Sequence, residues 1–169
     1  MRPVPQKPAA SGVGALLSAG MAHHQAGRLD DAEAAYRQVL AVAPRHFDAT
    51  HLMGVVALQT GRLDEARRLI VEALAINPAS APALNNLGNV HLRQGMHDDA
   101  LARFRHAVKL QPGFFDAQLN LGNLLFRQLT IPFKRRVIMP WLFRFLGQLV
   151  LVLFLRRWTM LSKLKALLL

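Results

Sequence analysis

The side chains of this chain that could do chemistry are seven histidines, ten carboxylates and a set of recurring asparagines. The chain has no cysteine, which excludes disulfides, thiolate metal sites and cysteine nucleophiles. His23 and His24 are adjacent and point to different sides of a helix, and His46 is not at helical spacing from His51, so neither pair completes a metal site. Phosphate-binding glycine loops and nucleophile elbows are also missing from the sequence. We therefore predict no catalytic residue, no metal site and no cofactor, and we predict that the protein is not an enzyme.

The asparagines recur at a fixed spacing. Asn86 and Asn120 are separated by the same interval as Asn89 and Asn123. An asparagine amide carries both a donor and an acceptor, so a row of amides can hold the backbone of an extended peptide. Arginines and a further amide near this row would hold a carboxylate or another acidic group. The predicted peptide-binding groove consists of Asn85, Asn86, Asn89, Arg93, Asn120, Asn123 and Arg127.

A second interpretation of these asparagines stays open. In it they belong to the framework of the repeat, and their amides are solvated or cap neighbouring groups. The row also ends before the first two units, where the equivalent positions hold Ser18, Met21, Leu52 and Val55. That half of the groove is therefore predicted to be more apolar.

The elements that position these residues follow from a repeat whose interval is the one that separates Asn86 from Asn120. Four columns share this period and one register: Gly20, Gly54, Gly88 and Gly122; Gly27, Gly61 and Gly95; Ala32, Ala66 and Ala100; Pro44, Pro78 and Pro112. The first glycines and the alanines indicate close helix contacts. The second glycines end the first helix of each unit, and the prolines end the second. The large residues Tyr36, Ile70 and Phe104 are predicted to fill the gap between the two helices of their units.

A period of about 34 residues with this pattern is typical of tetratricopeptide repeats (TPR). The chain resembles the TPR family over residues 13–128, most clearly in ALNNLGNVHLRQGMHDDALARFRHAVKLQP. The resemblance implies an all-α fold, a right-handed solenoid of antiparallel helix pairs with about three and a half units. It also implies that the first helices line a concave side that binds a protein or an extended peptide. We predict a flexible lead-in over 1–12 and helices near 14–26, 29–42, 48–60, 63–76, 82–94, 97–110 and 116–128.

The stretch HFDATHLMGVVALQTGRLDEA, followed by NNLGN, is similar to bacterial TPR regions that precede certain transferase domains. Those domains are sulfotransferases, or glycosyltransferases related to O-linked N-acetylglucosamine transferases. The similarity covers repeats only, so no catalytic residue can be carried over. The favoured hypothesis is a non-enzymatic protein- or peptide-binding scaffold. The alternative is the truncated substrate-recruiting arm of such a transferase, without its catalytic domain.

The repeat breaks at Leu129, where the next helix-ending glycine is due. Residues 117–169 hold nine Lys and Arg and no acid, whereas residues 1–116 hold twelve against ten acids. Because these basic residues flank an apolar run and do not cover a folded face beside aromatic groups, we predict no nucleic-acid binding. We predict that the solenoid is followed by a basic, apolar helical tail over 129–169, and two origins of this tail stay open: a native segment, or the product of truncation or a change of reading frame.

The segment 137–155 is an apolar run, rich in Leu, Ile, Val and Phe, that is long enough to cross a membrane. Arg144 near its centre opposes insertion. The run is therefore either a membrane anchor or a cap that folds back over Leu119, Leu121 and Phe126. Glycines interrupt the apolar patch 13–22, so we expect no signal peptide. The predicted location is cytoplasmic, on the cytoplasmic face of a membrane if the tail anchors the chain.

Overall fold

The computed structural model describes the backbone of residues 10–133 and the side chains of residues 12–128. This part of the chain contains seven α-helices and no strand. The helices are α1 (Ala10–Gln25), α2 (Leu29–Val42), α3 (Phe47–Gln59), α4 (Leu63–Ile76), α5 (Ala81–Arg93), α6 (His97–Leu110) and α7 (Phe115–Phe133). The chain divides into two compact units, Met1–Leu124 and Leu125–Leu169, and the packing described below belongs to the first.

Within the first compact unit the helices pack in pairs, α1 with α2, α3 with α4 and α5 with α6. Successive pairs stack through α2 on α3 and α4 on α5. One apolar core runs through the first two pairs into α5, and it includes Tyr36, Ile70 and Val90. The prediction of an all-α solenoid of helix pairs is confirmed.

The helix pairs depend on glycines that let a large side chain approach. A Cβ added to Gly20, Gly54 or Gly88 would lie 2.5, 2.7 or 2.4 Å from Tyr36, Ile70 or Phe104, respectively. Such contacts are shorter than packed carbon atoms allow, so only glycine fits against these side chains. All three large residues are fully buried, which confirms that they fill the gap between the two helices.

The predicted turns also form. Gly27, Gly61 and Gly95 have φ angles of 73°, 81° and 78°, the left-handed conformation that ends a helix. The residue before each second helix makes no side-chain cap, but acids occupy each first turn, where the positive end of the helix dipole stabilises them. In α3 and α5, by contrast, His46 Nδ1 and Ser80 Oγ accept hydrogen bonds from backbone amides of the first turn.

The helix bounds agree closely with the predicted ones, except at the two ends of the array. The first helix begins at Ala10, inside the predicted lead-in, and α7 continues to Phe133 instead of ending near residue 128. Leu129 stands where earlier units carry the left-handed glycine, so nothing in the sequence ends α7 there. None of the helices in residues 10–133 is both long enough and apolar enough to cross a membrane. The predicted span 137–155 lies outside the described residues.

Candidate functional site

The predicted site residues lie on the first helices of the units, and we call this surface of α1, α3, α5 and the start of α7 the first-helix face. Two hydrogen bonds cross it between neighbouring units. Asn86 Nδ2 lies 3.0 Å from His51 Nε2, and Asn120 Nδ2 donates to Asn85 Oδ1 at 2.9 Å. The two residues of each pair are 35 positions apart, which is one more than the repeat. The second residue therefore lies one position after the equivalent of the first residue in the following repeat unit.

These two bonds occupy three of the predicted groove residues. Asn85 is only 5% exposed, and its amide oxygen is satisfied by Asn120. Asn86 is half-buried and uses its amide nitrogen on His51. Both hydrogen bonds thus join adjacent repeat units.

The other two asparagines of the row differ. Asn89 is half-buried and Asn123 is exposed, and neither makes a hydrogen bond to another residue that the structure describes. They occupy the same position in consecutive units. Their donors and acceptors therefore face solvent on the first-helix face, where an incoming backbone could use them.

The two predicted arginines have different surroundings. Arg93 is exposed and donates a hydrogen bond from Nη1 to the carbonyl oxygen of Leu58, again 35 residues away. This bond holds the guanidinium against α3, and the other N–H groups of the side chain make no hydrogen bond to another described residue. Arg127 is exposed and belongs to the second compact unit of the chain.

His51 is the member of this network that the sequence did not indicate. Burial lowers the pKa of His51 below its ordinary value of 6.5, and the nearby Asp48 carboxylate opposes that effect. A neutral imidazole is the form whose Nε2 can accept the Asn86 amide hydrogen. The ring also stacks on Phe47, with 5.6 Å between ring centroids. His51 occupies the position equivalent to Asn85 in the preceding repeat unit, and this equivalence is the feature of the sequence that could have identified it.

At the other end of the first-helix face lies a cleft of about 340 Å³. It is lined by Met21, His24, Gln25, Tyr36, Leu52 and Gln59. Across it, His24 Nε2 and Gln59 Oε1 are 2.9 Å apart, another link between residues spaced by 35. The sequence predicted that this half would be more apolar but did not indicate a cleft.

The remaining histidine that the fold buries is His91. It is 8% exposed, and its Nδ1 has no hydrogen-bond partner among the described atoms. Burial lowers its pKa, with Asp99 acting against that effect. Residues 10–133 contain no group of three or more histidines and carboxylates arranged to hold a metal ion.

Stacked helix pairs, left-handed glycines between paired helices and a row of amides on the first helices together define a helical-repeat protein of the solenoid class. Two family models, both described as tetratricopeptide repeat, match residues 13–46 and 45–112. The chain belongs to the tetratricopeptide-repeat family, and its repeats are similar to those of O-GlcNAc transferases. Members of this fold are typically non-catalytic scaffolds for protein interaction.

Solved structures show the same arrangement. A mutant of the O-GlcNAc transferase of Thermobaculum terrenum is 29% identical with a TM-score of 0.68, over 73% of this chain and 23% of that chain. MamA from Desulfovibrio magneticus RS-1 is 25% identical with a TM-score of 0.63, over 69% of this chain and 66% of that chain. The first TPR of Spaghetti (RPAP3), bound to the HSP90 peptide SRMEEVD, is 16% identical with a TM-score of 0.67, over 72% and 96%. The chain thus spans about a quarter of the transferase, and none of the curated proteins matches it.

Proposed function

We propose that this protein is a non-enzymatic scaffold that binds an extended peptide segment of a partner protein along its first-helix face. The observation that carries the proposal is the pair of solvent-facing amides, Asn89 and Asn123, at equivalent positions of adjacent units. An extended peptide presents alternating N–H and C=O groups, and an asparagine amide can pair with both. The hydrogen bonds of Asn86 and Asn120 support this by holding adjacent units in a constant register.

Two further observations support the same proposal. The remaining N–H groups of Arg93 would hold a carboxylate of the peptide, since this side chain is already anchored on Leu58. The fold is that of the Spaghetti (RPAP3) TPR, whose solved structure contains a bound peptide. In our proposal the amides bind the peptide backbone, so the selection of particular sequences falls to other residues.

Replacing Asn89 and Asn123 together by alanine is expected to weaken peptide binding by about tenfold. The reason is the loss of two hydrogen bonds of about 0.5–1.5 kcal/mol each. The full chain would be used to select binders from a synthetic peptide library, and fluorescence polarisation would give the dissociation constant of the best peptide for each variant. Thermal unfolding should not change, because neither side chain bonds to another described residue.

The matched control is the double replacement of Asn86 and Asn120 by alanine. Those changes remove hydrogen bonds between units, and they leave the buried Asn85 amide without its partner, so we expect a lower unfolding midpoint. An unchanged dissociation constant for the variant lacking Asn89 and Asn123 would show that the amides do not bind the peptide.

The alternative function is a substrate-recruiting repeat arm of a glycosyltransferase or sulfotransferase. Its support is the 29% identity to the Thermobaculum terrenum O-GlcNAc transferase. Sequencing of the encoding locus tests it. A transferase domain encoded in frame with these repeats would favour the arm, and its absence from the locus would favour the scaffold.

We also propose that the tail tethers the scaffold to a membrane, with the repeats on the cytoplasmic side. The support is the apolar run 137–155, with basic residues on both sides of it. We expect the full chain to stay in the membrane pellet after a wash with alkaline carbonate and to be released by detergent. A chain ending at Gln128 should appear in the supernatant. Recovery of the full chain as a soluble monomer would contradict the tether and favour the cap.

A further inference from the structure

The cleft at the start of the first-helix face differs in chemistry from the amide row. Six residues line it, and none of the six is Asp, Glu, Lys or Arg. A charged group entering the cleft would lose water without meeting an opposite charge, which is unfavourable. A neutral occupant avoids this cost, and an apolar one gains from contact with Met21 and Leu52.

The repeat itself supplies a comparison between the two halves of the face. The position held by Asn89 and Asn123 in the third and fourth units is held by Met21 and Val55 in the first and second. Met21 is 42% exposed, so a large apolar side chain remains in solvent where later units carry an amide. At this position of the repeat, a large exposed apolar side chain therefore occurs at the end of the face where the cleft lies.

The walls of the cleft are held in place by the fold. Tyr36 is fully buried, and its ring lies edge-on to His24 with 6.3 Å between centroids. The hydrogen bond between His24 and Gln59 joins α1 to α3 on one side of the cleft. A site whose side chains are already positioned loses little conformational entropy when it is filled.

We propose that this cleft is a specificity pocket that selects one large apolar side chain, aliphatic or aromatic, of the bound peptide. This inference rests on the proposed function, because the amides of the third and fourth units would hold the backbone of the same peptide. The cleft is lined from α1, α2 and α3, and α3 contacts α5, so the cleft and the amides both belong to the first compact unit. The amides then provide affinity for any extended chain, and the cleft provides selection.

The test uses the full chain and a positional peptide library in which each sublibrary carries one fixed residue on a degenerate background. We expect fixed Leu, Met or Phe to be enriched at one position over fixed Ser, Asp or Lys. Replacing that residue by serine in the best peptide should raise its dissociation constant about tenfold, which corresponds to about 1.4 kcal/mol.

Met21→Asn is the decisive variant, since it places at this position the residue found in the third and fourth units. In Met21→Asn the dissociation constants of the apolar peptide and its serine version should differ by about twofold or less, because the apolar surface of the cleft is reduced. Val71→Asn is the matched control: Val71 is 51% exposed on α4 and does not line the cleft, so the tenfold difference should persist.

The possible outcomes separate the two proposals. If peptides bind without an apolar preference, or if Met21→Asn keeps the full preference, the pocket is wrong and backbone binding by the amides survives. If Val71→Asn loses the preference as well, the apolar peptides bind the protein nonspecifically and the pocket is again wrong. If no sublibrary binds the full chain, both the pocket and the proposed function fail.

Discussion

Phe104→Ala is expected to lower the free energy of unfolding by about 3–5 kcal/mol, the usual cost of truncating a buried aromatic side chain. Phe104 is fully buried and packs in a cluster with Ala100 and Leu124, which joins α6 to α7. Urea unfolding followed by circular dichroism would measure the change. Phe115→Ala removes the same side chain from a position that is 68% exposed, and we expect a change of about 0.5 kcal/mol or less there. Equal losses in the two variants would contradict the packing described here.

The same ring explains the glycine opposite it. A Cβ on Gly88 would lie 2.4 Å from Cε1 and 2.6 Å from Cδ1 of Phe104. Gly88→Ala should therefore destabilise the protein, although alanine favours a helix over glycine by about 1 kcal/mol. In the Phe104→Ala background the clash disappears, so Gly88→Ala should become neutral or stabilising. Additive effects of the two changes would show that the glycine serves another purpose.

Glu33→Gln is expected to cost about 1.5–3 kcal/mol, the range for hydrogen bonds that involve a charged group. Glu33 is only 9% exposed, and its Oε2 accepts a hydrogen bond from Arg62 Nη2 at 2.6 Å. Arg37 of the same helix also donates to this carboxylate. Since Glu33 lies on α2 and Arg62 directly precedes α4, the bond joins the first repeat unit to the second repeat unit.

The pH dependence of this effect follows from the direction of the pKa shift. The Arg62 hydrogen bond lowers the pKa of Glu33 below its ordinary value of 4.5, and the charges of Arg62 and Arg37 act in the same direction against the opposing effect of burial. A carboxylate with a lowered pKa stabilises the fold fully above its unfolded value, and the contribution is lost as the pH falls through the folded pKa. The stability difference between the native chain and Glu33→Gln should thus be largest at neutral pH and shrink below pH 4.5.

Glu72→Gln is the matched control for Glu33→Gln. Glu72 is exposed and pairs with Arg68 at 3.5 Å, one helical turn away. Exposed pairs at this spacing contribute about 0.3–0.5 kcal/mol, so a small effect is expected in the urea experiment. If both variants lose the same stability, or if the Glu33→Gln difference does not change with pH, the buried bond does not join the first two units as proposed.

The repeat framework could be predicted from the sequence because each column meets the same environment in every unit. Gly20, Gly54 and Gly88 all face a large side chain, so glycine is required three times and its period is visible. The same argument applies to Gly27, Gly61 and Gly95, whose left-handed conformation recurs in each turn. A constraint that repeats with the fold leaves a periodic record in the sequence.

The contacts that distinguish one unit from another left no such record. Glu33 and Arg62 are 29 residues apart, and the positions one repeat later hold Arg67 and Met96, so the pair occurs once. The predicted row of amides likewise combined two kinds of residue, Asn86 and Asn120, which join units, and Asn89 and Asn123, which face solvent. Their spacing is identical, and only their surroundings in the fold tell them apart.

The helices, their pairing, the turns and the residues that fill the gap between paired helices could all be predicted from the amino-acid sequence, because they depend on local conformation and on contacts within one repeat unit. The side chains that meet between repeat units become visible only in the packed fold. Because of the way the repeat units stack, a side chain contacts a residue one position beyond its own equivalent in the next unit. In this way His51 contacts Asn86, and His24 contacts Gln59. The same stacking placed Met21 and Leu52 around one cleft, although no period connects these two residues. A contact between units depends on how rigid helix pairs rest on one another, and that geometry is a property of the packed array rather than of any single repeat.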